Sequence, residues 1–363
     1  MPGDPEEYED ENWFRPTWET EDDENLDPAR VKRSRQPAKE PDFHHPLLHP
    51  LARAQDALAR LETGAELASA SVAEGLRARM AFREAAGWLA HAHVWIHPHD
   101  LALRDRGLTS SYGVAFGTGR LPAEIPSTTA LETYFDEAPS DIAVNQALRL
   151  ARLWRLGEMG TWRPLAHTGA VQETLQALGV RALPDAEIED WRAVVDGEQA
   201  PALIKAGRAA RDWMNRPGVA RQSPAGIFLG ACLWCDKKPR RPIALPFWSA
   251  STSRHQRLEL RTGLRWMTEY LDCVGAAAQI ARAELDRLRR AEEKGDLLKR
   301  TARSRLPDAI DAMVRLSIVT ARDLAASLDV TPQAALGLLH QLVEAGIVRE
   351  ATGRAAWRAF TLI

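Results

Sequence analysis

Apolar residues in the first patterned stretch of the chain recur every three or four positions. Leu51, Ala54, Leu58 and Leu61 keep this spacing, which predicts an amphipathic helix that ends before Gly64. Further helical patterns follow at 72–95, where Pro98 stops the helix, and at 129–136, 140–156, 168–178, 185–195 and 200–214. Residues 225–235 are apolar throughout and predict a buried central helix. Period-two alternation is missing until the C-terminus, so the predicted fold class is all-α.

Residues 263–300 predict one long helix. Its apolar positions keep a three–four spacing over several heptads, at Leu264, Met267, Leu271, Val274, Ala278, Ala281, Leu285 and Leu288. Such a pattern is typical of a connecting helix or of a seam between two copies of a chain. We therefore predict a connecting helix over 263–305 and a homodimer formed through 263–300.

Residues 306–363 predict a helix-turn-helix with a small wing. A first helix begins near Pro307, a second follows the N-cap Thr320, and a third follows the N-cap Thr331 and ends at Gly346. Pro332 falls at the first position of the third helix, where a missing N–H does no harm. Residues 347–350 and 356–360 then form a two-stranded wing. This order of elements is that of a winged helix-turn-helix, which places its third helix in the major groove of DNA.

The start of the third helix supplies the candidate contacts to bases. We assign this role to Thr331, Gln333, Ala334, Gly337 and His340. The candidate phosphate contacts are Arg322, Arg349, Arg354 and Arg358. The third helix itself contains no Lys or Arg, a feature that leaves open a winged helix that binds protein instead of DNA.

Charge is divided unevenly along the 363 residues, although the net charge is only −3. Residues 200–363 hold 27 basic and 16 acidic residues, whereas residues 1–29 hold twelve acidic residues and one basic residue. The basic half favours an acidic partner such as DNA, and residues 1–45 predict a disordered acidic leader. Three cysteines and the lack of any long apolar run or secretory signal indicate a cytoplasmic protein that does not enter a membrane.

A histidine-rich segment and a pair of cysteines are further candidates for chemical sites. On a continuous helix within the histidine-rich segment 91–99, His93 and His97 would face the same way, as metal ligands do. Pro98 interrupts that helix, and no Glu follows the first His, so no metal is predicted. Cys232 and Cys235 form a lone C-x-x-C without a strand before it, which favours buried thiols over a redox pair. The sequence therefore predicts no metal and no cofactor.

The order of features resembles the Fic-domain family in its form with a C-terminal winged helix. Glu84-Ala85-Ala86 resembles the start of the early motif E-A-x-x-S-S-x-I-E-G, and Asp100-Leu101-Ala102-Leu103 resembles the leucine-rich segment after it. Residues 227–235 are similar to the buried apolar helix of that family, and 244–247 to its Pro-Leu segment. The resemblance implies a helical Fic-like domain over 46–262 and a winged helix over 306–363.

The same resemblance implies a domain without catalytic activity. The family motif H-P-F-x-[DE]-G-N-G-R falls at 211–222, which reads RDWMNRPGVARQ. Fic-type AMP transfer needs that His as general base and the Gly/Asn/Arg loop to hold phosphates and metal. The regulatory Ile-Glu-Gly is replaced by His91-Ala92-His93. No catalytic residue is therefore assigned.

The function that these features predict is DNA binding by a transcriptional regulator with an inactive Fic-like body. Two alternatives remain at this stage. The winged helix and the acidic leader would serve a protein-interaction adaptor, which the uncharged third helix favours. A divergent nucleotidyl transferase would use residues other than the family motif, near Arg208–Arg221.

Overall fold

The computed structural model describes residues 46–107, 139–156, 163–197, 199–220, 223–235, 244–253, 263–298, 304–352 and 358–363. The predicted leader over 1–45 and the predicted helix at 129–136 lie outside these ranges. Residues 46–363 form one compact unit.

Thirteen helices and three short strands occur in the described ranges. The helices before the C-terminal module are α1 (Leu48–Glu66), α2 (Ala70–His91), α3 (Pro98–Asp105), α4 (Pro139–Leu156), α5 (Thr168–Leu178), α6 (Asp185–Gly197), α7 (Ala202–Met214), α8 (Ala225–Cys235), α9 (Phe247–Ser253) and α10 (Gly263–Leu297). The C-terminal module contains α11 (Leu306–Arg315), β1 (Val319–Thr320), α12 (Ala321–Leu328), α13 (Pro332–Glu344), β2 (Val348–Glu350) and β3 (Ala359–Leu362). The predicted all-α class with a winged helix-turn-helix is confirmed.

The core is built around α2 and α10, which together touch α1, α3, α4, α7, α9 and α11. The apolar positions of α10 from Met267 to Leu288 are buried inside the chain, with Leu271, Ala278 and Leu288 fully so. The predicted dimer seam is therefore already occupied by intrachain packing. Only Leu264, at the start of α10, remains half exposed.

The paired helices α7 and α8 approach each other closely because α8 carries glycines on their shared face. A Cβ at Gly230 would lie 2.7 Å from the Ala206 carbonyl oxygen, and a Cβ at Gly226 would lie 3.0 Å from that of Ala210. The helix predicted at 225–235 is buried from Ala225 to Gly230 and at Cys232, whereas Trp234 and Cys235 in its last turn are partly exposed. None of the helices in the described ranges is long and apolar enough to span a membrane.

Two predicted helix ends are wrong. The first helix passes through Gly64 to Glu66; α1 packs on α10 there, and a Cβ at Gly64 would lie 2.9 Å from the Leu285 side chain. The second helix ends at His91, and His93 adopts a left-handed backbone with φ of 62°. Pro98 begins α3 rather than ending α2, with His97 as the N-cap.

Glu84, at the start of the segment that resembles the Fic family, is a structural residue. It is buried on α2 and its carboxylate accepts the backbone N–H of Trp248 at 2.9 Å, at the start of α9. Burial raises the pKa of Glu84 well above its usual range, while the backbone hydrogen bonds from Trp248 and Phe247 oppose the shift. The side chain thus holds α9 against α2.

Candidate nucleic-acid interface

The second and third helices of the C-terminal module form the predicted turn through local capping. Thr320 and Asp323 form a capping box at the start of α12, with the Thr320 hydroxyl oxygen accepting the Asp323 N–H at 3.1 Å. Asp329 ends α12 with a left-handed φ of 51°, which a short polar residue tolerates. Thr331 then caps α13 and accepts the Ala334 N–H at 3.2 Å. The acceptor oxygen of Thr331 is therefore engaged in starting the helix.

The wing is a three-stranded antiparallel sheet in the order β1-β3-β2. Val319 of β1 pairs with Phe360, and Val348 of β2 pairs with Leu362. The prediction missed β1, because two residues are too few to show alternation. The returning strand also lies later than predicted, at Ala359–Leu362, and residues 353–357 are outside the described ranges.

One side of α13 is open to solvent and the other fills the core of the module. Ala335, Leu339 and Leu342 are fully buried. The remaining candidate base contacts on this helix are Gln333, Ala334 and His340, all exposed, and the partly exposed Gly337. A Cβ at Gly337 would meet nothing within 4 Å. The structure therefore brings these four predicted residues together on the solvent side of one helix.

The predicted phosphate contacts divide into three groups. Arg322, near the start of α12, and Arg358, before β3, are exposed. Arg358 also forms a long surface ion pair with Glu350, at 3.8 Å. Arg354 lies outside the described residues. Because α13 contains no Lys or Arg, the exposed positive charge near it in the described residues includes Arg322 and Arg358.

Arg349 is exposed and lies on the face of the wing opposite to the one that packs beneath α13. It pairs in register with Thr361, and opposed residues in a sheet share a face. Thr361 is fully buried and its hydroxyl donates to the Ser317 carbonyl at 3.2 Å. Val348 points to the opposite face, into the core beneath α13. Arg349 instead lines a cavity together with His99 of α3.

The comparison with known families bears on this module. Residues 306–363 match the family model described as "HTH DNA binding domain". The C-terminus carries a helix-turn-helix DNA-binding domain. The match begins at Leu306, where α11 starts, and ends at the last residue of the chain.

One curated relative extends the similarity beyond the HTH domain. The chain is 29% identical over 195 residues to a protein of Sinorhizobium fredii (strain NBRC 101917 / NGR234) named "Uncharacterized protein y4cF". The alignment covers 49% of this chain and 47% of that protein, so this chain spans about half the length of the relative it matches. Since the HTH domain match runs only from 306 to 363, most of the aligned residues lie outside it.

Partly or fully buried arginines that no sequence motif marks hold the HTH domain against the helical body. Arg79 of α2 donates to the carbonyl oxygens of Val314 at 2.6 Å and of Met313 and Leu316 at 2.9 Å. Arg287 of α10 donates to the Leu362 carbonyl at 3.1 Å. The sequence feature that could have identified Arg79 is a charged residue on the apolar face of an amphipathic helix, since Arg79 lies between Leu76 and Met80.

The histidine and cysteine motifs do not assemble into a metal site. Because α2 ends at His91, His93 and His97 are not on one helix face. Across the part of the chain that the structure describes, no group of three or more His, Cys, Asp or Glu side chains is arranged to hold a metal ion. Cys232 is buried in α8, as predicted, whereas Cys235 is partly exposed.

Proposed function

We propose that this protein binds DNA through its HTH domain and regulates transcription. The observation that carries the proposal is the solvent side of α13, a capped helix within a segment that matches a DNA-binding domain family. Gln333 presents an amide that can pair with adenine in the major groove, and Arg322 and Arg358 flank the helix with positive charge.

Gln333→Ala is expected to relax sequence preference, because an amide that pairs with a base contributes about 1–3 kcal/mol of discrimination. The measurement is a mobility-shift titration of the full chain with DNA from upstream of its own gene, against a scrambled competitor. Gln279→Ala, on the exposed side of α10, is the matched control and should leave the preference unchanged. An unchanged preference in Gln333→Ala would contradict the assignment of that residue.

Arg358→Ala is expected to weaken binding to all sequences alike and to reduce the salt dependence of the affinity by about one counterion. The titration is repeated at two salt concentrations, with Arg53→Ala as control, since Arg53 also forms a surface ion pair, with Asp272. Binding that is retained at high salt and insensitive to Arg358 would instead support the protein-interaction adaptor, which the lack of basic residues on α13 favours.

Gly337 gives a test that separates folding from recognition. A glycine inside a helix costs roughly 0.5–1 kcal/mol relative to alanine, and nothing packed against Gly337 requires it. Gly337→Ala should therefore raise the free energy of unfolding by about that amount in chemical denaturation. Gly337→Leu should fold but lose the mobility shift, because its side chain fills the space that a DNA groove edge needs. A folded Gly337→Leu with unchanged DNA affinity would place the interface elsewhere.

We further propose that residues 46–262 are a Fic-like body without AMP transferase activity, in a cytoplasmic protein. The support is the sequence RDWMNRPGVARQ at 211–222, which has no His, and the structural use of Glu84 at the start of α9. Incubation with labelled ATP and Mg²⁺ should give no labelled protein. Labelling that is lost on mutation near Arg208–Arg221 would favour the nucleotidyl transferase.

Two copies of the chain would bind half-sites about one helical turn apart, about 34–36 Å, as dimeric helix-turn-helix proteins do. Since the apolar positions of α10 are buried within the chain, the surface that joins the copies has to be a different one. Light scattering of the protein on a two-half-site duplex measures the stoichiometry, and a one-to-one complex would contradict the dimer.

A further inference from the structure

A cavity of about 690 Å³ lies where the HTH domain meets the helical body. Its wall is shared between α2, α3 with the residues before it, α9, α10 and the HTH domain. Sites for small molecules are typically concave and about 300–1,000 Å³ in volume. The size and position of this cavity are therefore suited to a ligand that touches both parts of the chain.

The wall of the cavity carries an excess of positive charge. Four arginines line it, namely Arg79, Arg83, Arg287 and Arg349. Among the residues named as its lining, Glu284 is the single acid, and its carboxylate is already held by Arg287 at 2.6 and 3.1 Å and by Arg79 at 3.4 Å. Arg83 is half-buried and Arg349 is exposed, and neither forms an ion pair with an acid in the described ranges. Two guanidinium groups are thus left for an anion.

Ser317 provides a second, independent indication of a ligand. It lies between α11 and β1, is 7% exposed and lines the cavity. Its hydroxyl oxygen has no hydrogen-bond partner among the described residues, although its carbonyl accepts the Thr361 hydroxyl. Buried hydroxyl groups nearly always have a partner. An anionic oxygen in the cavity would accept the hydrogen bond that the Ser317 hydroxyl lacks.

The rest of the wall favours an organic anion over a bare inorganic one. Phe82, Ile96 and Trp95 line the cavity, and Trp95 is 64% exposed although it is a large aromatic residue. His99 also lines it, and burial, followed by His97 and three arginines, lowers its pKa to about 4. Its imidazole is therefore neutral at pH 7 and adds a hydrogen-bonding group without charge.

We propose that this cavity binds a small organic anion, a carboxylate or phosphate monoester joined to a flat apolar group. Arg83 and Arg349 hold the anionic oxygens, Ser317 donates a hydrogen bond, and Trp95 packs on the apolar part. Arg83 belongs to the body, whereas Ser317 and Arg349 belong to the HTH domain. Occupancy thus couples the two parts and changes DNA affinity, a consequence that rests on the proposed function.

Calorimetry with the full chain tests the site itself. Phenyl phosphate and benzoate are the probes, and benzamide is the neutral counterpart of benzoate. We expect both anions to bind and benzamide to bind at least tenfold more weakly. Arg83→Gln and Arg349→Gln should each weaken binding at least tenfold, whereas Arg358→Gln, on the opposite face of the wing, should not.

Circular dichroism and thermal unfolding show whether each variant is folded. If an arginine variant is not folded, Ser317→Ala replaces it in the test and should weaken probe binding to a smaller extent. No binding of either anion would overturn the proposal, and so would binding that none of the three lining variants weakens.

Mobility shifts with and without phenyl phosphate test the coupling, with an expected change of at least fivefold in DNA affinity. If the probe binds but the protein shifts no DNA, with or without the probe, the ligand site stands and the proposed function is contradicted. If the protein binds DNA but not the probe, the ligand site is contradicted and the proposed function stands. Binding of both with no mutual effect would overturn the coupling alone.

Discussion

Arg79→Met is expected to lower the free energy of unfolding by about 3–5 kcal/mol, as for other buried ion pairs that lose one partner. Arg79 is buried, and its guanidinium satisfies three carbonyl groups at the C-terminal end of α11 while it pairs with Glu284. Burial lowers its pKa to about 10, against the opposing effect of Glu284, so it is charged at pH 7. Methionine fills much of the volume but leaves those carbonyls without donors.

Unfolding of the unsubstituted chain and of Arg79→Met in guanidinium chloride measures this loss, and Arg53→Met is the matched control. Arg53 forms a surface ion pair with Asp272 and its side chain is 68% exposed, so its replacement should cost about 1 kcal/mol or less. Hydrogen exchange should show the largest loss of protection at 313–316, where the carbonyls lose their donor. Equal losses in the two variants would contradict the role given to Arg79.

Gly75→Ala is expected to destabilise the chain by about 3 kcal/mol, at the upper end of the range for overpacked sites. A Cβ at Gly75 would lie 2.0 Å from the Val314 carbonyl oxygen and 2.9 Å from its carbon. Backbone atoms cannot move aside as a flexible side chain does, so α11 has to shift away from α2. That shift also disturbs the Arg79 hydrogen bonds, since Arg79 donates to the Gly75 carbonyl at 3.1 Å.

The same substitution in α13 is the control. Gly337 is also inside a helix, but its Cβ would meet nothing, so Gly337→Ala should stabilise rather than destabilise. Chemical denaturation of both variants therefore yields opposite signs for one chemical change. Two stabilising results would mean that α2 and α11 are not in contact at Gly75.

The wing connects the proposed DNA interface with the cavity. β2 has its two faces toward different parts of the molecule, with Val348 toward the core beneath α13 and Arg349 toward the cavity. A ligand that holds Arg349 therefore acts on the strand that supports α13 from behind. No further element is needed to link the two sites, because β2 packs beneath α13 with one face and lines the cavity with the other.

Much of the HTH domain was predicted because its helix ends depend on neighbours a few residues away. The Thr320 and Thr331 caps and Pro332 at the start of α13 are interactions within one turn of helix, and all are present. The apolar spacing of α13 likewise predicts that Ala335, Leu338, Leu339 and Leu342 face inward; Leu338 is only half-buried, whereas the other three are fully buried. Such short-range chemistry can be read from the order of residues alone.

The sequence does not show which way a strand residue such as Arg349 points, because that direction depends on the sheet. Gln333, Ala334, Gly337 and His340 share one side of α13, as helical spacing requires. The face on which Arg349 lies is set by its pairing with Thr361, and its role as a phosphate contact stays a prediction. The alternation of apolar and polar residues in β2 does not show the direction of Arg349, because the strand has only three residues.

The helical class, the winged helix-turn-helix and the solvent-facing residues of α13 can be predicted from the order of residues, since they follow from hydrophobic period and capping. The end of α2, the core position of α10 and the contacts of Arg79 between the HTH domain and the body depend on packing between distant segments. Arg79 and Val314 are 235 positions apart, and Arg287 and Leu362 are 75 apart. Contacts at such separations leave no periodic trace, because each partner looks ordinary until the chain has folded.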